Sequence, residues 1–214
     1  MTALRVAVLA SGSGTNLQAI LDNVHGHNGI EVVGVLSDRR DSHALARAAK
    51  AGVEAAVFDL RPGQPGEAFP GDRRARDSAM AAWLVEREVG LVVLAGYMQV
   101  LDPLFLDHFP HAVINVHPSL LPAFAGLDAI GQAVAYGVRV FGVTVHFVDE
   151  GVDSGPVILQ RSIELASPRS SEHVHDLLRP IEHELLTDAV KLIAAGRVSL
   201  DPSFPRRVVI TASA

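Results

Sequence analysis

The chain has no cysteine among its 214 residues, which excludes disulfides, thiolate metal sites and a cysteine nucleophile. An excess of basic residues is also missing. The formal net charge of −6 argues against non-specific binding to nucleic acid or an anionic membrane and leaves room only for a local basic patch. Long hydrophobic runs are absent as well. The opening MTALRVAVLASGSG is apolar only over residues 6–10, too short for a signal-peptide core or a membrane span. A soluble, cytoplasmic protein is expected. There is no internal repeat and no linker long enough to separate domains. The Pro/Gly-rich stretch at residues 61–71, RPGQPGEAFPG, reads as a loop. The expectation is one domain over residues 1–195 and a C-terminal tail over 196–214.

What is present is ordinary globular composition, with 49% hydrophobic and 20% charged residues, enough for a sizeable core. Short β-branched runs recur at residues 5–10, 31–36, 54–58, 91–95, 113–116, 143–148 and 157–163. The first five are continuously apolar or nearly so, as for strands buried on both faces of a parallel sheet. Between them, residues 16–23, 43–51 and 77–89 carry apolar side chains at helical spacing. This predicts a doubly wound, mostly parallel α/β sheet. After residue 140 the run VTVHFV alternates. Too few residues separate it from 157–163 for a crossover helix, so these two strands are expected to be antiparallel or bent past each other. Residues 171–195 read as one long amphipathic helix.

Ser11-Gly12-Ser13-Gly14-Thr15-Asn16 follows the first strand and opens the first helix. Free N–H groups and the positive end of the helix dipole make such a loop an anion site. The dinucleotide fingerprint would need a third glycine where Leu17 stands, and a Walker loop would need a lysine. Asp38, at the end of the second run, keeps a ribose contact and a nicotinamide reading open; it equally suits a turn cap before Arg39. A phosphate monoester site, a dinucleotide site and a structural turn all remain open here.

The stretch INVHPSLLP, residues 114–122, ends a strand on Asn115 and His117. Side chains alternate along a strand, so both lie on one face. Pro118 ends ladder donation, at the sheet edge where α/β proteins place ligands. For a lone histidine, hydrogen bonds to nearby loop backbone are the plain reading. The acidic loop DEGVDSGP, residues 149–156, adds a carboxylate that would fix an imidazole's tautomer and favour its protonated form. Asparagine supplies a neutral partner for the oxygen of a tetrahedral intermediate. With no serine or cysteine nucleophile in evidence, this is general acid–base chemistry. His146 either backs such a site or is a satisfied core histidine. His25 with His27, and His173 with His175, lack a third ligand at metal-site spacing. By spacing, Tyr97 and Met98 are core residues. The cluster Arg73, Arg74 and Arg76 is either a solvated helix start or an anion contact.

Over residues 6–193 the sequence resembles the phosphoribosylglycinamide (glycinamide ribonucleotide) formyltransferases. VLASGSGTNLQAI is similar to their phosphate loop and LAGYMQVL to their folate-pocket turn. INVHPSLLP carries their Asn and His, and HFVDEGVDSGPVILQ their Asp. The resemblance implies transfer of a formyl group from 10-formyltetrahydrofolate, a co-substrate, to the amine of glycinamide ribonucleotide in purine biosynthesis, without a metal. It implies a catalytic trio of Asn115, His117 and Asp153. Gly14, Thr15, Asn16 and Glu182 would bind the ribonucleotide, and Arg73, Leu94, Met98, Val100, Leu101 and Asn115 the folate. The protein would act as a monomer or homodimer, without nucleic acid or membrane. Residues 123–131 depart from the family's usual loop, and Gln99 stands where an arginine often occurs.

Formyltetrahydrofolate deformylase is the nearest alternative, with water in place of the amine, although it usually carries an extra N-terminal domain. Methionyl-tRNA formyltransferase would call for a C-terminal RNA-binding domain and a more basic surface. A nucleotide-binding Rossmann protein would leave Asn115, His117 and Asp153 without a task, and a non-catalytic binder would keep the loop near Asp153 open.

Overall fold

A computed structural model describes residues 3–60, 72–167 and 170–212. The loop expected at residues 61–71 lies outside the described residues. The chain forms two compact units, Met1–Ile114 and Asn115–Ala214.

The first unit begins with β1 (Leu4–Leu9), α1 (Thr15–Asn23), β2 (Ile30–Ser37), α2 (His43–Lys50) and β3 (Ala55–Val57). It continues through α3 (Arg73–Glu86), β4 (Leu91–Leu94) and the short α4 (Pro103–His108). β1 pairs in parallel with both β2 and β4, and β2 with β3. Val6, Ala7, Val8 and Leu9 are wholly buried, as the unbroken apolar run requires of a central strand. Gly34 in β2 has no side chain because the Trp83 indole of α3 lies there; a Cβ would come within 2.6 Å of the ring. The Arg87 guanidinium covers that indole at 3.6 Å from its centroid.

α3 starts four positions before the expected 77, because Asp72 caps it by accepting a hydrogen bond from the Ala75 amide at 2.9 Å. Arg76 does not belong to a solvated helix start. It is fully buried, and its Nε donates to Asp77 Oδ1 at 2.6 Å. α4 has Pro103 at its start and an Asp102 cap, both favourable at a helix N-terminus.

The second unit runs from the end of β5 (Val113–His117) through α5 (Ala129–Tyr136), β6 (Val140–Phe147), β7 (Val157–Glu164) and α6 (Ser171–Ala194) to β8 (Val198–Asp201) and β9 (Phe204–Ile210). β6 and β7 are antiparallel, as the short connection demands. The polar alternation in β6 does not mark a solvated face: Phe141 to Phe147 are all buried. Thr144 is buried because its hydroxyl is satisfied, donating to Ser119 O at 2.7 Å and accepting from the Leu121 amide at 3.1 Å. α6 is capped by Ser170, which accepts from the His173 amide, and buries Val174, Leu178, Leu185, Leu186, Ala189 and Val190. The expected tail contains a separate antiparallel hairpin, β8–β9.

The main sheet has seven strands in the order β3-β2-β1-β4-β5-β6-β7. It is mostly parallel with an antiparallel C-terminal end, the doubly wound class expected from the strand–helix alternation. Among the described residues no helix is long and apolar enough to cross a membrane.

Candidate active site

β5 ends on His117, and its last side chains supply the site. Asn115 is half-buried and His117 is buried. Asp153 comes from the loop after β6 and His146 from β6 itself. Oδ2 of Asp153 lies 3.3 Å from Nδ1 of His117, and Oδ1 lies 3.5 Å from Nε2 of His146. Asn115 Nδ2 donates to Asp153 Oδ1 at 3.2 Å and lies 3.3 Å from His146 Nε2. The Gly126 amide donates to Asp153 Oδ2 at 2.8 Å. Four groups from three segments, two of them on β5, thus converge on one carboxylate.

The outer nitrogens of the two rings are also occupied. His117 Nε2 lies 2.9 Å from the carbonyl of Phe124, and His146 Nδ1 lies 2.8 Å from that of Phe147. A carbonyl only accepts, so each of these nitrogens carries a hydrogen. His117 then satisfies both Phe124 and Asp153 when a second hydrogen sits on Nδ1. The plain expectation of a backbone partner and the expectation of an aspartate partner are both met by this one ring.

Burial is the largest single influence on Asp153 and pushes its carboxyl up. The hydrogen bond from His146, the Gly126 amide and the charges of His117 and His146 together outweigh it. The net effect holds the carboxyl below its ordinary range. Asp153 also has a positive φ of 50°, as do Phe124 at 54°, Asp128 at 53° and Gly126 at 87°. Non-glycine residues in this region are uncommon and gather at sites where geometry is imposed.

The glycine loop lies in the first unit. Gly14 is the N-cap of α1 at φ 69°, without a side-chain cap, and no acidic residue occupies the first turn. Neither a capping side chain nor an acidic first turn offsets the positive end of this helix's dipole. A Cβ on Gly14 would come within 2.9 Å of Ala44 Cα, so close helix packing also calls for this glycine. Arg47 of α2 donates to the Ser13 carbonyl at 2.8 Å and to Gln18 at 2.9 Å, holding the loop from behind. Among the described residues Ser37 Oγ, not Asp38, accepts the Arg39 amide at 3.2 Å. Asp38 Oδ2 instead accepts from Gln99 Nε2 at 3.1 Å.

Beyond β4, Leu94 and Leu101 are buried, whereas Met98 is 62% and Val100 52% exposed. Spacing puts Tyr97 and Met98 in the core; Tyr97 is there, but Met98 is not. Arg73 is the exposed first residue of α3. Glu182 is buried in α6, two residues after the in-helix Pro180. Sequence reasoning leaves His146 open between a backing role and a core one, and it does not single out the backbone partners Phe124 and Gly126. Only the closeness of His146 to Asp153 in the chain hints at a shared role.

Residues 4–190 match the family model described as formyl transferase. The chain is 38% identical over 197 residues to phosphoribosylglycinamide formyltransferase of Haemophilus influenzae, covering 92% of this chain and 90% of that one. It is 39% identical over 198 residues to the protein of the same name from Mycobacterium tuberculosis, covering 92% and 87%. The crystal structure of glycinamide ribonucleotide transformylase 1 from Symbiobacterium toebii matches with a TM-score of 0.89 and 44% identity, covering 98% of this chain and 95% of that one. The chain belongs to the formyl transferase family, with the phosphoribosylglycinamide formyltransferases. A formyltetrahydrofolate deformylase from Pseudomonas syringae has a TM-score of 0.87 at 24% identity, and 67% of its chain is covered; that likeness is one of fold.

Proposed function

We propose that this protein transfers the formyl group of 10-formyltetrahydrofolate to the primary amine of glycinamide ribonucleotide in de novo purine biosynthesis, with Asn115, His117 and Asp153 as its catalytic groups. The observation that carries the reading is the Asp153 carboxylate, held ionised among His117, His146 and Asn115. Neither ring has a hydroxyl partner among the described residues. That favours direct attack by the substrate's own amine over a covalent enzyme intermediate.

The folate supplies an activated formyl carbon. With substrate bound, the His117 Nε2 hydrogen would leave the Phe124 carbonyl and, with the Asn115 amide, serve the formyl oxygen, where negative charge builds as the amine adds. Asp153, through water, accepts the proton that the attacking amine must lose. His117 delivers a proton to the departing folate nitrogen as the old C–N bond breaks. One C–N bond forms and one breaks, and one proton passes between the two nitrogens.

Gly14, Thr15 and Asn16 would hold the phosphate, with Glu182 accepting from a ribonucleotide hydroxyl. Met98 and Val100 would lie against the pterin over Leu94 and Leu101, and Arg73 would meet the tail carboxylates. A deformylase would present water in place of the amine. Formyl transfer assayed with and without glycinamide ribonucleotide separates the two. Folate product that depends on the amine supports the transferase; equal product without it makes the protein a hydrolase.

A further inference from the structure

The loop that carries Asp153 is tied together at both ends. At its base the Phe147 amide donates to the Pro156 carbonyl at 2.9 Å, and Gly155 packs so closely on the Phe147 carbonyl that no Cβ fits. Near its tip Asp149 Oδ1 accepts from Ser154 Oγ at 2.5 Å and from the Gly151 amide at 3.2 Å. Between these ties Asp153 adopts its left-handed backbone, which a free aspartate occupies only at a cost.

Among the described residues, the backbone of 149–154 receives one hydrogen bond from outside the loop. Arg206 Nη2 of β9 donates to the Ser154 carbonyl. That carbonyl belongs to the Ser154–Gly155 peptide, one residue beyond Asp153. The hairpin bearing Arg206 is itself well braced. Asp201 accepts from the Ser203 amide at 2.8 Å and pairs with Arg207 at 3.5 Å, while Arg207 lies 4.4 Å from the Phe204 ring centroid. Arg197 and Thr211 close its open end through bonds of 2.7 and 3.0 Å.

We infer that Arg206 is a positioning residue for Asp153, and that the C-terminal hairpin braces the acidic loop in its working conformation. Arg206 touches no reacting atom. It holds the Ser154 carbonyl, and so keeps the preceding residue in the backbone state that aims its carboxylate at His117 and His146. This rests on the reading of Asp153 as a catalytic group.

The test compares steady-state formyl transfer by the full chain carrying Arg206→Ala, Arg206→Lys, Asp153→Asn and the Arg206→Ala/Asp153→Asn pair, with thermal melting of each. A single solvent-open charge-assisted bond to a carbonyl is modest, so Arg206→Ala should lower kcat about three- to tenfold. Ribonucleotide KM should stay within about twofold and melting should be unchanged. Lysine keeps a donor and should restore most of the loss. In the Asp153→Asn background the Ala substitution should have no further effect, as expected of residues acting in series. Wild-type kcat in Arg206→Ala, an equal loss in the Asp153→Asn background, or a loss that follows melting and is not rescued by lysine each overturns the proposal. Near-normal kcat in Asp153→Asn instead overturns the catalytic reading beneath it.

Discussion

Oδ2 of Asp153 lies 3.3 Å from Nδ1 of His117, and the carboxyl is held below its ordinary range despite burial. A depressed carboxylate stabilises the fold above its unfolded-state pKa, about 3.9 for aspartate. That contribution is lost as pH falls through the lower folded value. The stability advantage of the wild type over Asp153→Asn should therefore be full above about pH 4 and shrink below it. Denaturant unfolding of both proteins across that range checks this, and a pH-independent gap contradicts it.

His146 is the first of the groups that draw Asp153 down, after the opposing effect of burial. Replacing it with alanine leaves burial less opposed, so the Asp153 titration should move up. The acidic limb of the turnover profile should move with it, and turnover at neutral pH should fall roughly tenfold. Carboxyl NMR titration of His146→Ala reads the shift directly. An unmoved Asp153 would leave His146 a core residue without influence on the site.

Gly155 is buried against the Phe147 carbonyl, where an added Cβ has no room. Gly155→Ala should destabilise the protein by about 1–3 kcal/mol, seen as a lower denaturant midpoint. It should also lower turnover, because the displaced loop carries Asp153. A neutral substitution would show that the loop base yields easily.

The glycine loop should behave differently from the acid–base cluster. Thr15→Val and Asn16→Ala should weaken ribonucleotide binding roughly tenfold, the scale of one or two lost hydrogen bonds, with kcat changed much less. Calorimetric titration with glycinamide ribonucleotide tests this. Unchanged affinity would return the loop to the purely structural role that the Gly14–Ala44 contact already supplies.

Much of this arrangement is legible in the residues. Unbroken apolar runs announce β1 and β4, and the short link between β6 and β7 announces their antiparallel pairing. Period-two alternation puts Asn115 and His117 on one face. Other features depend on packing that no local pattern records. Thr144 and His146 are polar residues of β6 that are buried because backbone groups satisfy them, and the alternation of that strand does not name those partners. Arg76 looks like a member of an exposed basic cluster but is buried beside Asp77. α4 is only one or two turns long and α5 follows an N-cap, Asp128, that makes no side-chain cap bond, so neither displays a helix signal of useful length. Met98 is exposed although Leu94 and Tyr97 beside it are core. That is a property of the turn after β4, not of hydrophobicity.

The most direct test measures kcat for formyl transfer by His117→Ala and Asp153→Asn, with ribonucleotide affinity determined on the same preparations. Both kcat values should fall by roughly two to four orders of magnitude, with affinity within a few-fold of wild type. Turnover close to wild type in either variant would contradict the assignment of the chemistry to this cluster.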